Sequence, residues 1–348
     1  MANVKTGVDV FAAGGGSALV NWTEAVSIAA PNATIPATSW TPSNAAANVD
    51  AVLRPKGTGS VLAQVPDNLT TGGNKRGTNA VDLSTIRYVA DRVASGQNSV
   101  IGGGITNQAT GGTSVVGGGS GNKAQGIDST VSGGSSNEAA AGMAGIANTI
   151  AGGRSNNTQA GYTSIGGGES NRTLLGSEYA CIPGGYFVET HYKGELGLAH
   201  GRFAANGDAQ TSFVTMRRES TIGGAAVILT LDGQAEVAGV GGNTINILDN
   251  NVKAFNIRVA ARDTGLVNNF AWFDFSGCIK RDVGAATTAL VGAVTTVASG
   301  NTGGGSATWT CVVAANVGGR LTITVVTPAA SGTGPCRWVA TCGFTKVA

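Results

Sequence analysis

The sequence predicts an all-β chain: a thin β-solenoid followed by a C-terminal antiparallel β-sandwich, with a short helix before the solenoid. Over residues 98–185 an apolar residue followed by a Gly-Gly pair recurs at nearly constant spacing. From about residue 225 the pattern changes to longer runs with apolar residues at every second position, the period of a half-buried strand. Composition points the same way, since 56 of 348 residues are Gly while only 12% are charged and 5% aromatic. That balance suits a repetitive, extended protein better than one large packed core.

Residues 1–48 are rich in Ala, Thr, Pro and Gly, and Pro31, Pro36 and Pro42 break any helix. A small β or extended module is expected there. Residues 49–78 read as a β collar, two short strands at 51–54 and 60–65 around the turn Pro55-Lys56-Gly57-Thr58-Gly59. Residues 79–96 read as a helical neck. Leu83, Ile86, Ala90 and Val93 step by three, four and three, Asp82 is a fair N-cap, and Ser95-Gly96 ends the run.

The repeats form the expected shaft, residues 97–212. Apolar anchors fall at Val100, Val115, Val131, Ile150, Ile165 and Ile182, in steps of 15, 16, 19, 15 and 17 residues. Gly-Gly follows each anchor at the second and third positions, and Asn follows the first five at six or seven. Gly111, Gly126, Gly142, Gly161 and Gly176 lie 11 residues beyond the first five anchors, so length variation is assigned to the segment between each of these and the next anchor. About 15 residues hold two short strands and two tight turns, and Gly supplies positive-φ turn positions. One anchor cannot bury a core alone. Stacked coils give each anchor a neighbour above and below. A disordered Gly/Ser/Asn linker would not keep such offsets.

Residues 213–348 form the expected sandwich, with strands near 227–231, 244–248, 254–261, 270–279, 288–297, 308–313, 321–326 and 337–344, of jelly-roll type. Phe255, Ile257, Val259 and Ala261 alternate with polar Asn256 and Arg258, and Leu321, Ile323 and Val325 with Thr322 and Thr324.

The repeats resemble the head repeats of trimeric autotransporter adhesins. A closer resemblance is to tail fibres of tailed, often cyanobacterial, bacteriophages. It rests on the order of LRPKGTGSVLAQVPDN (53–68), RGTNAVDLST (76–85), the Gly-Gly repeats, GDAQTS (207–212) and RWVA (337–340). The resemblance covers roughly residues 50–348. It implies a left-handed parallel β-roll shaft in a homotrimer, located in the virion tail and assembled in the host cytoplasm. It implies an N-terminus that joins a phage tail or baseplate protein, and a C-terminal receptor-binding domain for a host cell-surface glycan or protein. Alternatives are a tailspike-type glycan depolymerase and a bacterial trimeric surface adhesin. No secretory signal is visible in MANVKTGVDVF, which disfavours the adhesin.

Other function classes find little support. A net charge of +2 does not suggest nucleic-acid binding, and no run approaches 18 apolar residues, so no membrane insertion is expected. With two histidines, His191 and His200, nine apart, no HExxH zinc helix exists. No Walker A loop or G-x-S-x-G elbow occurs, and GSGNKA (119–124) lies inside a repeat with no following helix. No catalytic, cofactor or metal site is expected. A glycosidase needs two carboxylates across the scissile bond, and Glu169, Glu178, Glu189, Glu195 and Asp208 are the available acids along the shaft and its exit. Solvated surface acids are the simpler reading. Candidate receptor-binding residues are Trp272, Trp309 and Asn301, near the Gly-rich loops 232–243, 299–306 and 331–335. The five cysteines, an odd number without a CxxC pair, read as buried small hydrophobes. Pairing of Cys336 with Cys342 or Cys278 with Cys311 is the alternative.

Overall fold

A computed structural model describes residues 4–5, 22–27, 37–42, 53–139, 146–221, 223–236, 243–265, 268–302, 306–316, 318–328 and 334–348. The chain divides into two compact units at Lys56/Gly57. In the first, Val4–Lys5, Trp22–Ser27 and Ala37–Pro42 form a three-stranded antiparallel sheet.

The second unit begins as a parallel β-solenoid. Two-residue rungs stack from Val61–Leu62 through Val81–Asp82, Val100–Ile101 and onward to Cys181–Ile182 and Leu196–Leu198. A second parallel sheet runs from Gln108–Ala109 to Glu189–Thr190, and isolated parallel bridges from Ile86 to His200 make a third ladder. The interior is narrow. On the first sheet Ile101, Val116, Val131, Ile150, Ile165 and Ile182 form a buried column; Ala109, Ala124 and Ala139 form another on the second.

Register corrects the first two anchors. Ile101 and Val116, not Val100 and Val115, pair in line with Val131 and are fully buried. Adjacent apolar residues in NSVIGGG and TSVVGGG made the two positions indistinguishable by pattern. Five residues before each buried anchor the chain turns a corner, at Gly96, Gly111 and Gly126, where an added Cβ at Gly96 or Gly111 would meet the backbone oxygen of the next coil at 2.0 Å. The corner therefore keeps a fixed offset to the anchor after it. In the coil after Ile165 the extra residues lie before the corner, between Thr173 and Ser177. Residues 140–145, including Gly142, lie outside the described residues.

Counted from the corrected anchors, so that the pair after Val116 is Gly118-Gly119, the two glycines of each pair have different roles. The first, such as Gly118 or Gly133, has nothing within 4 Å of an added Cβ. The second, such as Gly119, has φ +82, and its Cβ would meet Gly134 O at 2.2 Å. Glycine supplies positive-φ positions such as Gly104, Gly119 and Gly134, and other residues take left-handed turns as well. Asn98, Thr113, Asp128, Ala147, Tyr162 and Tyr179 take φ between 54 and 64 at the corner three residues before each anchor. Each N–H there reaches back to a carbonyl one coil earlier, as in Thr113 to Gln97 (2.7 Å) and Asp128 to Gly112 (3.0 Å), which offsets the left-handed cost of about 1–2 kcal/mol.

The asparagines form an internal ladder. Asn107, Asn122, Asn137, Asn156 and Asn171 are fully buried. Asn137 Nδ2 donates to Gly133 O (3.0 Å) and Gly153 O (2.9 Å), and its Oδ1 accepts from Asn156 N (3.0 Å). Each side chain thus satisfies backbone groups of its own coil and the next, which buried peptide groups require.

No helix forms over residues 82–94. Among the described residues the one helical element is the 3-10 turn Ser306–Thr308. Asp82 is a strand residue. Its carboxylate holds Arg76 Nε at 2.7 Å inside the solenoid and accepts from Ser84 N (3.0 Å). Leu83 and Ile86, which a helix would have buried together, are 46% and 49% exposed, while Arg87 is buried and bonded to Thr71 O and Ser84 O. Of the expected collar, residues 51–52 lie outside the described residues and Leu53 and Arg54 are in no strand. Val61–Leu62 pairs in parallel with Val81–Asp82, so this segment is a solenoid coil.

The first solenoid sheet continues into the C-terminal region. Leu196–Leu198 pairs antiparallel with Ala209–Ser220, which joins Cys336–Val347, Asn251–Asp263, Phe270–Arg281 and Thr295–Thr302 in order. A second antiparallel sheet comprises Thr310–Asn316, Arg320–Val326, Val227–Ile228 and Ile245–Asn246. One core unites the two sheets, with Met216, Ile257, Trp338 and Phe344 of the first against Leu229, Ile245, Ile323 and Val325 of the second. Hairpins of consecutive strands and pairing of the first strand with the last replace the interleaved order of a jelly roll. The strand expected at 288–297 is split into Ala289–Leu290 and Thr295–Thr302, with Gly292 at φ +79 between them. All five cysteines are free; Cys336 and Cys342 are buried, but Cys181 is exposed.

Charged groups are buried where solenoid and sheets meet. Glu195 accepts from His191 N (2.6 Å) and Tyr192 N (2.9 Å), and Lys253 Nζ donates to Tyr192 Oη (2.6 Å). Burial pushes Lys253 down to about 8. It also pushes His191 down to about 3, aided by the positive charges of Lys346, Lys253 and Arg172; Glu189 Oε1, 3.3 Å from the ring, does not offset this. The folded pKa of His191 lies below the unfolded value, so its contribution is present above about pH 6.5 and is lost as pH falls toward 3. Glu189 and Glu195, which burial pushes up, act in the opposite sense. The Tm difference between the native protein and His191→Gln should therefore shrink on acidification from pH 7 to 4. A pH-independent difference would contradict the buried neutral imidazole.

Candidate functional site

The outward face of the first C-terminal sheet carries the candidate site. Asn251–Asp263 and Cys336–Val347 alternate strictly between buried and accessible residues. Register then fixes which outward residues are neighbours. Arg217, Val339, Ala260 and Trp272 form one row across four strands, and Thr215, Thr341, Arg258 and Asp274 the next.

Trp272 is 45% exposed and lies over Gly300 of the adjacent strand, where an added Cβ would come within 2.6 Å of its Nε1. It borders an open hollow of about 480 Å3 whose floor includes Ala260, Val339 and Thr341. Arg258 and Asp274 pair at 3.3 Å on the rim, the guanidinium largely in solvent. An aromatic face, an apolar floor and flanking polar groups give stacking and hydrogen bonding in one place. A second hollow of about 330 Å3, on the other side of Val339, is lined by Arg217, Glu219, Asp232 and Arg337. There Arg337 Nε pairs with Glu219 (3.2 Å) and Arg217 Nη2 donates to Asp232 O (3.2 Å). A third hollow of about 350 Å3 is lined by Arg217, Asp232, Lys193 and the solenoid residue Tyr179.

Of the three candidate residues from the sequence, Trp272 alone borders a hollow. Trp309 is 4% exposed in the core and packs on Trp338 at 5.6 Å, so it is not a surface contact. The turn that carries it folds its ring inward between the two sheets. Asn301 is exposed at the sheet edge, but it pairs opposite buried Ala271 and so leans to the face away from Trp272. Residues 237–242, 303–305 and 331–333 of the Gly-rich loops lie outside the described residues. The arginines escaped sequence reading because they are far apart in the chain; only register assembles them.

Four of the five acids weighed for glycan cleavage, all but Glu178, are tied to structure. Glu195 is buried against backbone N–H groups, and Asp208 accepts from Phe203, Ala204 and Ala205 N–H groups. Glu169 pairs with Arg154, and Glu189 faces Arg172 and His191. Among the described residues no group of three His, Cys, Asp or Glu side chains has metal-binding geometry, and no helix is long and apolar enough to cross a membrane.

No family model and no curated protein matches the chain. Solved structures similar to it include the Acinetobacter baumannii phage AM24 tailspike, at 11% identity and a TM-score of 0.23, covering 79% of this chain and 60% of that one. The Acinetobacter phage vB_ApiP_P1 tailspike is similar at 12% identity and a TM-score of 0.23, covering 79% of this chain and 57% of that one. The structural similarity to these tailspikes is distant. The chain spans less than two thirds of their length.

Proposed function

We propose that this chain is the subunit of a homotrimeric bacteriophage tail fibre that attaches the particle to its host. The N-terminal unit joins the tail, the solenoid is a spacer, and the C-terminal sheet binds a surface glycan at the Trp272 hollow. The carrying observation is Trp272, half exposed on a rigid sheet and seated over Gly300 beside Arg258, Asp274 and Thr341. A sugar's C–H face stacks on such a ring while its hydroxyls bond the flanking polar groups. Binding is favoured over cleavage because Glu195 and Asp208 are committed to backbone N–H groups. Trimerisation is supported by apolar side chains left exposed on the solenoid, including Leu83, Ile86, Val89, Ile127 and Leu175. Light scattering should give about three times the 34.4 kDa chain; a folded monomer at micromolar concentration would contradict it.

Calorimetry of the purified protein with envelope polysaccharide from a susceptible bacterium tests the site. Trp272→Ala should weaken binding at least tenfold, about 1.4 kcal/mol, without changing Tm or mass. Unchanged affinity moves the site elsewhere. Release of reducing ends by the native protein would replace attachment with depolymerisation.

A further inference from the structure

We infer that the glycan bound by this face is an acidic polysaccharide, with a carboxylate in its repeat, lying in one groove from Trp272 past Arg217 to Tyr179. This rests on the attachment reading above and names its ligand class. The three hollows are contiguous. Val339 lines both the first and the second, and Arg217 and Asp232 line both the second and the third. Trp272 to Arg217 alone spans three strand spacings, about 14 Å. The groove ends on aromatic surfaces at both sides. Trp272 closes one end, and at the other Tyr179 stacks on Tyr162 with ring centroids 5.3 Å apart and planes 10° from parallel.

The charge pattern identifies the ligand. Arg337 sits directly opposite Arg262 across neighbouring strands, with Glu219 on the far side of Arg337. Like charges facing each other on a sheet are destabilising. The single carboxylate of Glu219 pairs with Arg337, and among the described residues Arg262 has no carboxylate partner. Arg217, Arg218, Arg337, Lys193 and Arg258 line the three hollows, five cations against the three carboxylates of Glu219, Asp232 and Asp274, and Arg262 lies beside them as the cross-strand neighbour of Arg337. The planar fork of a guanidinium matches a carboxylate. The interleaved acids would repel a chain with a charge on every unit but accommodate one whose charges are spaced by neutral sugars. A local conflict on an otherwise well-ordered sheet, relieved by an anion, is the pattern expected of a binding surface.

The test uses the full-length protein on a panel of bacterial surface polysaccharides, each presented in native and carboxyl-reduced form, with Arg262→Gln, Arg337→Gln and Trp272→Ala as variants. The expected result is binding to acidic members, a loss of at least tenfold on carboxyl reduction, and weakening of about tenfold in either arginine variant. Mass should stay unchanged, and Tm should not fall in Arg262→Gln, which removes the like-charge contact. Binding insensitive to carboxyl reduction and to both arginine variants, yet abolished by Trp272→Ala, overturns the acidic ligand and leaves glycan attachment standing. Binding to no member overturns both readings. Dissociation of the assembly in Arg262→Gln assigns this face to a subunit contact and also overturns the inference.

Discussion

Replacing Gly119 by Val should cost on the order of 2–6 kcal/mol, combining about 1–3 for a side chain forced into a left-handed backbone with about 1–3 for overpacking. Its φ is +82, and the new Cβ would lie 2.2 Å from Gly134 O. A carbonyl in a parallel rung cannot move without breaking its own ladder, so the next coil must shift as well. Gly118→Val, one residue earlier in the same Gly-Gly pair, meets nothing within 4 Å and should change stability by less than about 1 kcal/mol. Urea unfolding of the two variants reads the contrast directly. Equal losses would show that the second glycine is not the close-packed one, and the coil geometry would need redrawing.

Replacing Asp82 by Ala is expected to cost about 3–5 kcal/mol, the penalty for leaving a buried charge without its partner. Arg76 is 1% exposed at its side chain and Asp82 is 0%. The guanidinium also donates to Gly72 O and Asn74 O, so it cannot swing to solvent without unmaking the loop around it. The pair lies in one of the first coils, and the loss should appear as fraying there. Hydrogen exchange should show faster exchange of the amides of Val81 and Val61, whose N–H groups bond Ser99 O and Ala80 O. Unchanged protection at these amides would mean that the ion pair does not hold the first coils in place.

Much of the shaft was legible because a solenoid repeats its constraints. The Asn ladder and the second glycine of each pair are needed once per coil, and five or six copies make their spacing visible. Legibility failed where the pattern was locally ambiguous. Val100 beside Ile101 gave two equivalent anchors. The three-four-three spacing from Leu83 to Val93 fits a helix as well as it fits a coil with Leu83 and Ile86 outside. The decisive feature, burial of Asp82 with Arg76, is a pairing of charges that periodicity does not register. The strand Ala209–Ser220 was missed for a related reason: polar Gln210, Ser212 and Ser220 are among its buried residues, so the apolar alternation is masked. In the site, Trp272 could be singled out by composition alone. Trp309, of the same residue type and also near a loop, turned out to be core, and only the tertiary packing distinguishes the two. The row Glu219–Arg337–Arg262 could not be read at all without the register of three strands.

Host attachment through the Trp272 face is tested most directly by competition for adsorption. Cells of a susceptible bacterium are saturated with purified full-length protein before phage are added, and the free phage remaining are counted. The native protein is expected to block adsorption in a dose-dependent way, and Trp272→Ala, with the same mass and Tm, to require at least tenfold more protein for the same block. Blocking by Trp272→Ala at the native dose would contradict the assignment of the receptor site to this sheet, and failure of the native protein to block at any dose would contradict its role in attachment.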